Sequence, residues 1–336
     1  MKLIAGTKLK AYKTGFTQGL SKPLSVKLIR NTTTRRTRMK KVLQYILIVI
    51  IFLAGLSLLL YPFVSNEWNK YRQNQLITTY DQVVEEKKEE LDYTDQWERA
   101  RAYNQSLLPM ILPDSFAVAA ANEEPDPEYM ACLNLLGDGM MGYVEIPKIN
   151  IKLPLYHTTD SEVLQKAAGH LEGSNLPVGG DGTHAVISAH RGLPSAVLFS
   201  DLDRMAEGDH FLIYVLDDIL CYEVDQIMVI EPWETDCLAA VEGQEYVTLM
   251  TCTPYGVNSH RLMVRGHRVP YEEEVEVALQ EEAKVSGQIS IHTDYLLWMI
   301  VGLIVTAFFV VVLIIVDGIT SRRKREKALK DLELEH

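Results

Sequence analysis

The stretch Thr248–Val269, TLMTCTPYGVNSHRLMVRGHRV, holds a cysteine at the end of one apolar, β-branched run and an arginine near the start of the next. "EYVTLMTC" and "RLMVRGHRV" are predicted strands, and "PYGVNS" between them supplies the Pro, Gly, Asn and Ser of a short connection. Adjacent antiparallel strands joined this closely bring Cys252 and Arg261 onto one face.

Working outward, the same texture recurs. "MGYVEIPKI", "IKLPLYH", "THAVISAH", "HFLIYVL" and "LCYEVDQIMVI" read as further strands, and "NLLGDG", "EGSNLPVGGDG" and "EGDH" as turns. Many short strands with few helices predict a mainly β fold, a closed or nearly closed barrel over residues 131–272. "DSEVLQKAAGH" and "SAVLFSDLDRM" are expected to be short helices. Trp68–Leu108, in the helical region 65–109, places Leu76, Tyr80, Val83 and Val84 on one helix face, with "EEKKEE" as its solvated side. Pro109 and Pro113 end that pattern. Residues 110–130, "LPDSFAVAAANEEPDPEYM" among them, show no periodicity and read as a loop. Residues 273–294 read as an acidic linker.

The chain has 336 residues and a net charge of −12, but its two ends are basic. Each basic cluster abuts an uncharged apolar run, at 42–64 and 295–316, long enough to cross a hydrocarbon core of about 30 Å. The first run exceeds the apolar core of a signal peptide, and no small-residue cleavage site follows it. Lys/Arg clusters mark cytoplasmic flanks, so segments 1–41 and 317–336 are expected inside and the barrel outside, a two-pass topology. Met39 opens "MKKVLQYILIVI", a natural start for a membrane anchor. Residues 1–38 are therefore read either as an over-extended start or as a disordered cytoplasmic tail. Beside apolar runs, the basic arms point to a membrane rather than to nucleic acid.

No CxxC pair argues for zinc, and no metal or organic cofactor is expected. Cys132, Cys221 and Cys237 resemble no disulfide framework, and Cys221 reads as a small core residue. Cys252 differs because of its neighbours. A cysteine attacks carbonyls as its thiolate, usually beside a histidine, and the developing oxyanion needs a donor. His190 closes "HAVISAH" before the turn "RGLPS", and Arg261 opens the strand after Cys252. Taken singly, each has a plainer reading: an inert core thiol, a hydrogen-bonded histidine, a salt-bridged arginine.

The combination resembles a known family. "TLMTC" matches the Thr-Leu-X-Thr-Cys signature of sortases, the membrane-anchored cysteine transpeptidases of Gram-positive bacteria. "GDGMMGYVEIPKINIKLPLYH" and "HLEGSNLPVGGDGTHAVISAHRGLPSAVLFSDLDRM" look like class C, the pilin polymerases, in which a second, carboxy-terminal span is typical. The resemblance implies a sortase-type barrel with His190, Cys252 and Arg261 as the catalytic set and Thr251 helping to position substrate. It implies cleavage of a Leu-Pro-X-Thr-Gly-like signal between Thr and Gly and transfer to a pilin lysine. A housekeeping sortase, which transfers to a cell-wall precursor, is the alternative. A secreted cysteine protease and a non-enzymatic membrane receptor are more distant ones. Class C members also carry a lid anchored by Asp-Pro-aromatic, a pattern from which this chain departs. "PDSF" offers Asp114 and Phe116, and "PDPEYM" offers Asp126 and Tyr129. Asp114 and Phe116 are favoured, since an acid and an aromatic two apart can reach cation and thiol together.

Overall fold

A computed structural model describes residues 24–88, 93–107, 111–121, 124–272, 277, 279 and 292–334. Eight strands close a barrel: β1 (Met140–Ile146), β2 (Ile151–Tyr156), β3 (Ala168–His170), β4 (Thr183–Ser188), β5 (His210–Val215), β6 (Asp218–Ile230), β7 (Glu245–Thr253) and β8 (His260–Val269), in the spatial order β1-β2-β3-β4-β7-β8-β6-β5. Most neighbours are antiparallel, but β2 pairs with β3 and β4 with β7 in parallel. Alternation fills the interior: Val144, Leu153, Ile187, Ile213, Leu249 and Val264 share one buried cluster. Gly266 is required in β8, because a Cβ there would lie 2.6 Å from the ring of Phe211.

Helix α1 (Leu24–Lys88) runs without a break through the first apolar segment, with Pro62 inside it. Beyond that segment one stripe, Gln73, Ile77, Tyr80 and Val84, is buried. The spacing of three and four residues is that of one helix face. Tyr80 is the central peg. Its hydroxyl donates to the Met141 carbonyl (2.9 Å) and accepts the Leu216 N–H (2.8 Å). Tyr93 then donates to the Val84 carbonyl at 2.8 Å, and α2 (Thr94–Ser106) follows. A last helix, His292–Glu333, carries the second apolar run. Met39–Lys88 and Ile300–Lys327 each hold a stretch long and apolar enough to cross a membrane.

Several sequence expectations are corrected. The expected loop 110–130 contains α3 (Ser115–Ala121) and α4 (Pro127–Ala131), capped by Asp114 and Asp126. "SAVLFSDLDRM" is not a regular helix but turns ending in a 3-10 turn at Leu202–Arg204. Ala196, Leu198, Phe199 and Leu202 are all buried there, but Leu198 takes a positive φ of 45°, which no α-helix accommodates. The expected helix in "DSEVLQKAAGH" stops at Leu164, and its end supplies β3. Residues 24–38 are helical. Residues 1–23, Pro109 and most of the linker 273–294 lie outside the described residues. No disulfide joins the four cysteines, and Cys221 is fully buried against Leu212 and Leu279.

Tyr80→Phe removes one donor and leaves the buried Leu216 N–H without its acceptor. The expected loss is about 1–3 kcal/mol, to be read as a lower thermal midpoint of the detergent-solubilised chain.

Candidate active site

Strand register builds the site. On β7, Val247 and Leu249 point into the barrel and Met250 to the opposite face; on β8, Leu262 and Val264 point in and Met263 out; on β4, Ala185 and Ile187 point in and Val186 out. Ser188 is opposite Met250, Met250 opposite Met263, and Cys252 opposite Arg261. Continuing β4 by two residues brings His190 level with Cys252. The strand end stays against β7 because Ala189 N–H donates to the Met250 carbonyl (3.2 Å) and Thr251 Oγ1 to the Ala189 carbonyl (2.8 Å). His190, Cys252 and Arg261 therefore form one row across three strand ends, on the outer face of the wall.

Arg261 is gripped from two sides. Its Nη1 donates to the carbonyls of Asn258 (3.2 Å) and His260 (3.0 Å). Its Nε and Nη2 donate to the two carboxylate oxygens of Asp114, each at 2.7 Å, a bidentate fork. Asp114 is buried, as are Arg261 and Cys252, at 8%, 8% and 6% exposure. Phe116 completes the cover. Its ring lies 5.4 Å from the His190 ring at 33° and 5.0 Å from the Arg261 guanidinium carbon.

The segment carrying these two residues is pinned on both sides. Thr235 Oγ1 donates to the Leu112 carbonyl (2.6 Å), Thr159 Oγ1 to the Ser115 carbonyl (3.0 Å), and Ser188 Oγ to Ser115 Oγ (2.8 Å). Leu112, Phe116 and Val118 pack on Leu171, Val186, Leu238, Met250 and Met263, the apolar floor beside the row. Sequence reasoning missed Ser115, Thr159, Ser188 and Thr235. Nothing distinguishes a small hydroxyl residue as a latch until register shows which face it occupies.

Burial sets the protonation states. It pushes the Cys252 thiol above its ordinary value; Arg261 pulls it down and Asp114 pushes it further up. It pushes the His190 imidazole below its ordinary value. The covered site thus favours a neutral thiol beside a neutral imidazole, and among the described residues no hydrogen bond joins the two.

Other candidates fall elsewhere. Thr251 is fully buried, with its hydroxyl committed to Ala189. Its side chain ties the strand leading to His190. Asp126 is an exposed helix cap whose Oδ1 accepts the Glu128 N–H, and Tyr129 is fully buried against His170 and His157. Neither touches the row. His170 and His184 are buried too, both pushed down to about 4 by desolvation. Their ring nitrogens bond locally, Nε2 of His184 lying 2.8 Å from Thr248 Oγ1. Among the described residues no group of His, Cys, Asp and Glu could hold a metal ion.

The family described as "Sortase domain" matches residues 144–269, which include the whole row. The solved structure of sortase C from Streptococcus pneumoniae is similar at 44% identity with a TM-score of 0.51, over 59% of this chain and 97% of that one. Sortase C1 from Streptococcus agalactiae is similar at 45% identity and a TM-score of 0.51, over 59% and 100%. Sortase D of Bacillus subtilis is 28% identical over 131 residues, 38% of this chain and 63% of that protein, so the chain spans less than two thirds of this curated relative. With a barrel of this topology and identities above two fifths over nearly the full length of two solved sortases, the chain belongs to the sortase family.

Proposed function

We propose that the protein is a membrane-anchored cysteine transpeptidase of class C that joins pilin subunits. The observation that carries the reading is the row His190–Cys252–Arg261, covered by Asp114 and Phe116. It is supported by the likeness to the sortase C structure of Streptococcus pneumoniae, which bears on pilin substrate specificity. Housekeeping attachment to a cell-wall precursor is the second reading, and the sortase C neighbours support it less.

The chemistry follows from the groups present. Opening of the segment around Asp114 frees the Arg261 fork and wets the row. Water beside Cys252, and a carboxylate withdrawn from it, both favour the thiolate. The thiolate attacks the carbonyl carbon of the Thr–Gly bond in a Leu-Pro-X-Thr-Gly-like signal. Arg261 donates to the oxyanion, and His190 in its protonated form gives a proton to the departing glycine amine. The product is a thioester on Cys252. A lysine amine of a second pilin then attacks that carbonyl, His190 accepts its proton, an isopeptide bond forms, and the Cys252 thiolate leaves. No cofactor enters this scheme.

Asp114 and Phe116 act as a lid. The closed state covers the nucleophile and occupies the oxyanion donor. Phe116 is half-buried against the floor and gains part of the about 1.5–3 kcal/mol that full burial of such a side chain is worth. A closed state favoured by a few kcal/mol leaves about 0.1–10% open. Asp114→Ala and Phe116→Ala should therefore each speed alkylation of Cys252 by a small thiol reagent at least about tenfold. Asp114→Ala removes a carboxylate that pushes the thiol up, so the midpoint of its rate–pH profile should also move to lower pH. Asp126→Ala should change neither. Faster labelling in Asp126→Ala alone would overturn the lid assignment.

Incubation with pilins should yield heat-stable, high-mass ladders. Cys252→Ala should fold and form neither acyl adduct nor ladder. Arg261→Lys keeps the charge but loses the planar fork, and should lose about 10²-fold in rate. Normal turnover in Arg261→Lys would remove it from the oxyanion site.

The catalytic domain is placed outside the cell and both basic ends inside, following the charge flanking the two apolar runs. In intact protoplasts a tag after His336 should resist added protease while the barrel is digested. Cleavage of that tag would reverse the topology.

A further inference from the structure

His190 opens a loop, Arg191–Ser200, that is closed at its neck. Phe199 N–H donates to the His190 carbonyl, Arg191 Nε to the Ser200 carbonyl and Gly192 N–H to Ser200 Oγ, each at 3.1 Å. Arg191 also donates to Thr253 Oγ1 (3.2 Å), one residue beyond Cys252, and pairs with Asp203. The inner side of the loop is apolar and buried at Ala196, Leu198 and Phe199.

Its outer edge is held by α1. Asn69 Nδ2 donates to the Ser195 carbonyl at 2.8 Å, and Ser65 Oγ to the same oxygen at 3.2 Å. Val197 N–H donates to Asn66 Oδ1 at 3.1 Å. Asn66 and Asn69 are three residues apart on one helix face, one turn before Gln73, whose Nε2 donates to the Lys166 carbonyl at 2.8 Å. The two asparagines have opposite tasks. Asn66 is used as an acceptor and Asn69 as a donor.

We propose that Asn66 and Asn69 are positioning residues for His190, acting through the loop Arg191–Ser200. The helix that carries the first apolar run would then set the orientation of the histidine at the cleft. The inference rests on the role given to His190 above. The apolar side chains keep the loop folded on the barrel, so losing an asparagine contact tilts the loop without unfolding it. The neck bond to the His190 carbonyl passes that tilt to the residue itself. Misplacement by a fraction of an ångström is enough to matter for proton transfer.

The test uses the full chain in detergent, with four variants read for pilin joining and for the His190 titration by NMR of ¹³C-labelled histidine. Asn66→Ala and Asn69→Ala should lower kcat about 3- to 30-fold with KM unchanged. Their thermal midpoints should fall by no more than a few degrees. They should move the His190 titration upward, toward its ordinary value, as its burial loosens. Cys252, Arg261 and Asp114, the other ionisable groups at the row, and the neighbouring Arg191 and Asp203 are untouched by these changes. Asn66→Asp keeps an acceptor for Val197 and should behave like the wild type. Asn69→Asp loses its donor and turns a carboxylate on the Ser195 carbonyl, and should match Asn69→Ala. Unchanged kcat and titration in both alanine variants would overturn the proposal, as would an Asn66→Asp as impaired as Asn66→Ala. If an alanine variant fails to fold, the contrast between the two aspartate variants decides. If the wild type joins no pilins, the transpeptidase reading fails, and the titration arm still decides the positioning.

Discussion

The parallel pairing of β4 with β7 is the constraint on which the site depends. The hairpin-like pairing of β7 with β8 would bring Cys252 opposite Arg261 in almost any fold containing it. Bringing His190 beside them requires strands some sixty residues apart to lie side by side in register, Ser188 against Met250. A shift of one residue would turn every side chain of β4 to the opposite face, sending His190 into the barrel. The interior residues Ala185 and Ile187 resist that shift, because each step would exchange an apolar side chain for His184, Val186 or Ser188. The apolar core of the barrel thus protects the register of a polar row on its outer face.

In the proposed reaction Arg261 holds two incompatible partners in turn. In the covered state its Nε and Nη2 are spent on Asp114, and those donors are absent from the cleft. Removing two opposite charges from water together is tolerable only when the geometry is this good. In the proposed reaction an entering substrate replaces both the carboxylate and the Phe116 ring. The same burial that makes the pair possible also keeps thiol and imidazole neutral. Covering the row and keeping the Cys252 thiol neutral are one electrostatic event rather than two devices.

The proposed lid is also a folded object, which its composition concealed. Asp114 caps α3, accepting the Ala117 N–H at 3.1 Å, while its carboxylate faces Arg261. Small residues such as those of "SFAVAAA" carry no amphipathic period of their own. What orders them is the floor of Leu171, Val186, Met250 and Met263 beneath Leu112, Phe116 and Val118. The same holds for Arg191–Ser200, whose Ala196, Leu198 and Phe199 are ordered by packing into the main core rather than by a helix or strand of their own.

Alternation in "EYVTLMTC" and "RLMVRGHRV", the two apolar runs with basic flanks, and the signature around Cys252 were legible in the sequence, because each is a local pattern of period or charge. On those grounds the barrel, its long strands and the three residues of the row could be named in advance. "PDSF" could be singled out as an acid and an aromatic in a small-residue segment, but not told from "PDPEYM" by position alone. Only the tertiary structure separated them. Asp114 meets Arg261 across 147 residues of chain, whereas Asp126 caps its own helix and Tyr129 is consumed by the core. Thr251, adjacent to Cys252 in sequence, points away from it because strand neighbours face opposite sides. The threonine and serine latches and the asparagines of α1 were invisible for the same physical reason. A hydrogen bond between distant segments leaves no periodic trace in either one, and appears only when packing has brought the two together.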